Sequence, residues 1–407
     1  GPAEIVNWHD CTPLITDSCM AGRDADPKLG DDFVPAASKA GFTAKAPAEL
    51  PKPRAPERES GKPDLRPSDK LPAQAVVYAS TASSGQPDGK SWATAYRSLQ
   101  AAIDHAWRSG GEVWVARGTY VPGDARASSF QLRLNVPLYG GFAGTETDRK
   151  ERDAKKNGTI LSGDRRCFHV VIGCDGARLD GFTITGGVAD GAGYDAKGGG
   201  LITYFRAPQG RPNAAKLGFS MTVADCTFRD NRAVEGGAIY SFDRGELEIS
   251  GCLFEKNSAD NGGAIVDRVG VVSRITDCVF TENAAAWRGG AVYFAYGSRP
   301  TLLRCRFSKN SSGAHGGACY ALSRASQLGP TVLTFIECVF EDDSARLRGG
   351  GIAIDDAAEI TATRCTFRRE KAKSGGGVSG FRAGRHTFEG GTFEECAQSF
   401  EGSPRDR

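Results

Sequence analysis

Histidine is scarce in this chain, with five in 407 residues, and the twelve cysteines include no paired C-x-x-C motif. A multi-histidine site or a paired-cysteine zinc site is therefore not expected. Charge of either sign is not in excess. Fifty-one Lys and Arg stand against forty-nine Asp and Glu, for a net charge of +2. No bulk field exists to draw in nucleic acid or an anionic membrane. No run of 18 apolar residues occurs, so no helix of this sequence is expected to span a bilayer. Neither a Ser-His-Asp arrangement nor a phosphate-cradling loop is readable in the order of residues. The chain opens on Gly1-Pro2 without a signal peptide, as a protease scar or a mature start would.

Glycine, in contrast, is abundant, with fifty-three residues, and much of it recurs in one phrase. Gly-Gly-Ala followed by an apolar residue begins at Gly236, Gly262, Gly289 and Gly316, with looser copies at Gly198, Gly349 and Gly375. Between these copies runs Cys-x-Phe-x-x-Asn, from Cys226 to Asn231, Cys252 to Asn257, Cys278 to Asn283 and Cys305 to Asn310. The phenylalanines fall at 228, 254, 280, 307, 340, 367 and 393, in steps of 26, 26, 27, 33, 27 and 26. A period of this size denotes a solenoid. Two glycine-rich breaks per unit leave no room for a helical repeat, and the stretches between them alternate as strands do. The expectation is an all-β parallel β-helix whose coils pair as parallel strands about 4.8 Å apart.

Such stacking turns equivalent residues into ladders. Phe228, Phe254, Phe280, Phe307, Phe340 and Phe367 should stack inside. Cys226, Cys252, Cys278, Cys305, Cys338 and Cys365 share their parity and should also point inward, reduced, as small apolar groups. Asn231, Asn257, Asn283 and Asn310 should form an amide ladder. Asp343 and Glu370 replace Asn in the next two copies, so the ladder is expected to end at Asn310. Off the ladder, Cys11/Cys19 and Cys167/Cys174 are the disulfide candidates.

The Phe-x-x-Asn and Gly-Gly-Ala-Ile phrases resemble the repeats of polymorphic outer membrane proteins, bacterial surface adhesins. From about Val76 onward the chain resembles right-handed parallel β-helix proteins of the pectin-lyase-like superfamily. The segments Glu112-Val-Trp-Val-Ala-Arg-Gly-Thr-Tyr120 and Leu138-Tyr-Gly-Gly-Phe-Ala-Gly-Thr-Glu146 carry that likeness. The resemblance implies a right-handed β-helix and a protein that is secreted, periplasmic or on the surface of a bacterium. It says little about activity, because this fold hosts lyases, hydrolases, adhesins and structural proteins.

Three regions and a tail are expected. Residues 1–75 read as an extended N-terminal arm, rich in Pro and charge. Residues 76–111 read as an N-terminal cap. Trp92, Tyr96, Leu99, Ile103, Ala106 and Trp107 lie on one helical face there, with Ser91 as N-cap and Gly110-Gly111 as the stop. Residues 112–400 are the coils, and 401–407 a tail. No comparable helix follows the last coil, so residues 381–400, the arm or a second molecule should cap it.

Candidate chemistry follows from the ladders. The residue before each Gly-Gly forms an edge row: Lys197, Glu235, Asn261, Arg288, His315, Arg348 and Ser374. An outward row reads Ile202, Tyr240, Val266, Tyr293, Tyr320, Ala353 and Ser379. Arg288, His315 and Arg348 with Tyr293 or Tyr320 could carry out β-elimination on an acidic polysaccharide. The cations would neutralise the uronate and take the proton, and a tyrosine would protonate the leaving oxygen. Insertions at 203–217 and 322–331 suggest a binding face, where Tyr204, Phe205, Arg206 and Arg211 could join Tyr240 and Phe242 as a sugar-stacking group. Among carboxylates, Asp243, Asp267 and Asp355-Asp356 are candidates for hydrolysis. Asp190 and Asp195 lie in a Gly-rich stretch that could hold calcium; otherwise no cofactor is expected. The favoured function is a non-catalytic extracellular or cell-surface protein that binds a glycan or protein partner or builds a surface assembly. The alternative is a polysaccharide lyase.

Overall fold

The computed structural model describes residues 75–204, 219–323, 328–396 and 400–401. The expected arm (1–75) and tail (401–407) fall almost wholly outside them, as do Cys11 and Cys19. The described chain winds through four parallel sheets of eleven, ten, ten and six strands, here sheets A, B, C and D. One complete coil shows the order: Glu246–Ser250 in A, Leu253–Glu255 in B, Ser258–Asn261 in D and Ile265–Arg268 in C, then Val272–Thr276 back in A. This is a parallel β-helix, as the period requires.

Register follows the repeat. Phe228 pairs with Phe254, Phe254 with Phe280, Phe280 with Phe307, Phe307 with Phe340, Phe340 with Phe367 and Phe367 with Phe393. Their rings stack within 9° of parallel, with centroids 4.6–5.2 Å apart. Each such pair adds roughly 0.5–1.5 kcal/mol beyond its burial. The six ladder cysteines are buried free thiols. Those of Cys252, Cys278, Cys305 and Cys338 each donate to a backbone carbonyl, such as Leu302 O for Cys338 at 3.4 Å.

The amide ladder runs one coil further than expected. Asn231 donates its side-chain amide to Asn257 (3.1 Å), Asn257 to Asn283 (3.0 Å) and Asn283 to Asn310 (3.0 Å). Each backbone N–H in this series donates to the same oxygen. Asn310 then donates both groups to Asp343, at 2.7 and 2.9 Å. An acceptor is all that position needs, and a carboxyl oxygen serves as well as an amide oxygen. Beyond it, Glu370 is fully buried, and neither of its oxygens makes a hydrogen bond of good geometry among the described residues. Burial raises the pKa of both acids, with each other's charge adding to the shift of Glu370.

The Gly-Gly corner is where successive coils come closest. Gly289 sits at φ +64°, and a Cβ on Gly290 would collide with the carbonyl oxygen of Gly317 on the next coil.

Among the described residues a single α-helix, α1 (Leu99–Ser109), lies beside the first strand, Val76–Ala79. Leu99, Ala102, Ile103 and Ala106 join the same apolar core as Val77, Val113 and Val115. The helix is shorter than expected. Its N-cap is Ser98, whose hydroxyl accepts from Ala101 N–H, while Gly110 ends it at φ +72°. Ser91 instead caps a turn, accepting from Thr94 N–H, and Tyr96 pairs with Ala79 as a β-bridge. Pairing with the first strand removes 91–97 from the helix.

Two predictions follow from the ladder. Replacing Asn257 with Ala strands the N–H and side-chain amide of Asn231 and the Phe228 carbonyl. It should cost about 3 kcal/mol in urea denaturation. Because the folded pKa of Glu370 is raised, its contribution is complete below the unfolded value, near 4, and is lost as pH rises from there toward the folded value. Glu370→Gln should therefore flatten the decline in stability between about pH 5 and 9, measured by denaturation midpoint against pH.

Candidate binding surface

The edge row forms as one continuous line. Lys197 pairs with Glu235, Glu235 with Asn261, Asn261 with Arg288, Arg288 with His315, His315 with Arg348 and Arg348 with Ser374. Beside it, Ile202, Tyr240, Val266, Tyr293, Tyr320, Ala353 and Ser379 align in register along sheet C. The structure thus brings together Arg288, His315, Arg348, Tyr293 and Tyr320 from three successive coils.

Their roles differ from the expectation. Tyr293 and Tyr320 face outward yet are only 2% and 1% exposed, because they belong to a second apolar cluster outside sheet C. The Tyr320 hydroxyl donates to Asp355 at 2.7 Å, and Arg348 donates to the same carboxylate oxygen at 3.1 Å. Burial raises the Tyr320 pKa strongly, and the Asp355 charge raises it further. A proton held by burial and given to an internal carboxylate is badly placed for a leaving oxygen. Asp355 was expected as a separate hydrolytic candidate; here it is the anchor of Tyr320 and Arg348. Arg288 lies 5.5 Å from the Tyr320 ring centroid, and the His315 ring lies 6.2 Å from it, inclined by 25°. Arg288 is exposed and makes no ion pair among the described residues.

One further residue completes this surface. The Asn-to-Gly corner spans five positions in Asn231–Gly236 and Asn257–Gly262, and six in Asn283–Gly289, Asn310–Gly316 and Asp343–Gly349. The extra residue enters as a bulge, since pairing passes from Ala259/Ala285 to Asn261/Arg288. Ala286 and Trp287 together face Asp260. A bulge of this kind re-aims side chains, and Trp287 is left 57% exposed. The 27-residue step from Phe280 to Phe307 contains this insertion, a signal that the averaged period hides. The three longer corners are those that end in Arg288, His315 and Arg348.

The other candidates fare differently. Tyr240 is fully buried, with Lys197 Nζ 5.0 Å from its ring centroid and 3.3 Å from its hydroxyl, so it offers no stacking face. Phe242 is partly buried and packs against Tyr194 and Tyr240. Phe205, Arg206 and Arg211 lie outside the described residues, and only the backbone of Tyr204 is described, paired with Phe242. Asp267 points into the core, in register with Phe294, where burial lifts its pKa to about 7 against the opposing Ser273 hydroxyl. Asp243 occupies a left-handed turn at φ +68° and pairs with Arg244, so the two form no acid pair.

The calcium expectation is not supported. Asp190 takes the guanidinium of Arg126, which repels a cation. Asp195 lies 3.7 Å from His169 Nε2. No group of three or more His, Cys, Asp or Glu suited to a metal occurs among the described residues. Cys167 and Cys174 do not pair either. Cys167 is a free thiol buried in the core, beside the turn at Gly163, whereas Cys174 is disulfide-bonded.

Residues 213–393 match the family described as "Right handed beta helix region". No curated protein sequence matches the chain. Among solved structures, the pectin methylesterase of Aspergillus niger, in its deglycosylated form, is similar over 82% of this chain and 91% of its own, at 13% identity and TM-score 0.40. A penultimately deglycosylated form of that enzyme gives the same values.

The Tyr320–Asp355 bond supports the edge from beneath. Tyr320→Phe keeps the ring under Arg288 and His315 but removes the hydroxyl. It should lower stability by about 1 kcal/mol in chemical denaturation, with the fold retained by far-UV circular dichroism.

Proposed function

We propose that this protein is a non-catalytic recognition scaffold that binds a glycan or protein partner along the edge formed by Trp287, Arg288 and His315. The observation that carries this reading is a half-exposed tryptophan raised on a bulge beside an arginine with no ion-pair partner among the described residues. An indole face stacks on sugar rings or fills a partner's pocket, and a neighbouring guanidinium supplies directed hydrogen bonds. Coils stacked about 4.8 Å apart set His315 beside Arg288 along the axis. The adhesin-like Phe-x-x-Asn and Gly-Gly-Ala-Ile phrases support a place outside the bacterial cytoplasm, secreted, periplasmic or at the cell surface. No helix among the described residues is long and apolar enough to cross a membrane.

Lyase chemistry is the weaker reading. The elimination outlined for this row would use a tyrosine hydroxyl turned to the substrate, whereas that of Tyr320 is given to Asp355 and Tyr293 is buried.

A glycan array probed with the full chain, together with pull-down of surface proteins, tests the proposal. Trp287→Ala and Arg288→Ala should each weaken the binding found by about tenfold or more, while the melting temperature moves by no more than about 2 °C, since both side chains are exposed. Binding unchanged in both variants would overturn the site. Ultraviolet absorbance of an unsaturated product from pectate or alginate would overturn the non-catalytic role.

A further inference from the structure

The corner that follows each Phe strand carries a second pattern. Asp230, Lys256, Glu282, Lys309, Asp342, Arg369 and Glu395 occupy it in seven successive coils, all at φ between +52° and +61°. Their backbones stack in order, each N–H through Arg369 donating to the carbonyl just before the next corner residue. Such φ values favour Gly, Asn or Asp, yet Lys, Glu and Arg are present, and the sign of charge alternates without a break. The neighbouring row, Arg229, Glu255, Thr281, Ser308, Glu341, Arg368 and Glu394, never places like charges on adjacent coils. Ion pairs within these rows, among the described residues, are confined to the last coils. Arg369 reaches Asp342 at 2.8 Å and Glu341 at 2.7 Å, and Arg368 reaches Glu394 at 2.8 Å.

Both rows end on an acid. Thr392–Glu394 is the last strand of sheet B, and no described strand pairs with its far side. Thr392, Glu394 and Glu395 are exposed, and Phe393, the last ring of the aromatic stack, is only partly buried. An open strand edge is a template for another strand. The alternation specifies which strand fits. It would place an apolar ring over Phe393 and basic groups at the two following positions, opposite Glu394 and Glu395.

We propose that this end of the β-helix is a docking surface for an extended partner segment in which an aromatic residue is followed by two basic residues. A second copy docked by the same end would set acid against acid.

A peptide copying residues 362–370 of this chain, which contain Phe367-Arg368-Arg369, with serine for its cysteine, is a suitable probe. A control peptide carries glutamate in place of Arg368 and Arg369. The full chain should bind the basic peptide about tenfold more tightly than the control by fluorescence anisotropy. The preference should shrink in 0.5 M salt, and hydrogen exchange should slow at Thr392–Glu394. The double variant Glu394→Arg/Glu395→Arg, both sites being exposed, should fold and reverse the preference. The proposal fails if neither peptide binds, if the reversed variant keeps the original preference, or if protection appears elsewhere. It also fails if sedimentation shows that this end self-associates, or if the acidic edge merely repels strands of either charge.

Discussion

Everything in this molecule rests on parallel backbone pairing between coils, held in register by a buried ladder of side chains. The Asn231–Asn257–Asn283–Asn310 series does more than fill space. Each amide satisfies the backbone and side chain of the coil before it, so a slip of one residue would strand several buried donors at once. The phenylalanine stack follows the same register but tolerates sliding better, because dispersion contacts have little directionality. The hydrogen-bonded ladder therefore specifies the alignment, and the aromatic stack supplies much of the apolar burial.

That alignment produces the candidate surface. Arg288, His315 and Arg348 are 27 and 33 residues apart, yet they are bridged neighbours on one edge. The edge is mixed in character. Arg348 is tied to Asp355, and Tyr320 beneath it is tied to the same carboxylate. Arg288 and Trp287 remain exposed. The bulge where the Asn261 corner meets the longer Arg288 corner leaves Trp287 exposed, whereas Asp355 holds Arg348 as internal support.

The ladder also explains why acids can sit where amides are expected. Asp343 needs only to accept from Asn310, so it extends the series. Glu370 makes no hydrogen bond of good geometry among the described residues, and burial, with the nearby Asp343 charge, raises its pKa.

Periodicity alone determined the architecture here. Steps of 26 or 27 residues, inward parity of Phe and Cys, and glycine pairs at each corner admit one economical winding, and the edge and outward rows could be written down from it. Burial on the outer face could not. Tyr240, Tyr293 and Tyr320 have the parity of exposed residues but are buried in a second apolar cluster built from side chains distant in sequence. Local signals also failed at Ser91, because strand pairing at Tyr96 outweighed a helical face, and at Cys167 and Cys174, because bonding depends on where the chain brings sulfur atoms together. Trp287 escaped notice because one extra residue changes a side chain's direction without disturbing the average period. Repetition is a property of the chain, whereas cover, bulges and cross-chain partners exist only once the coils are stacked in three dimensions.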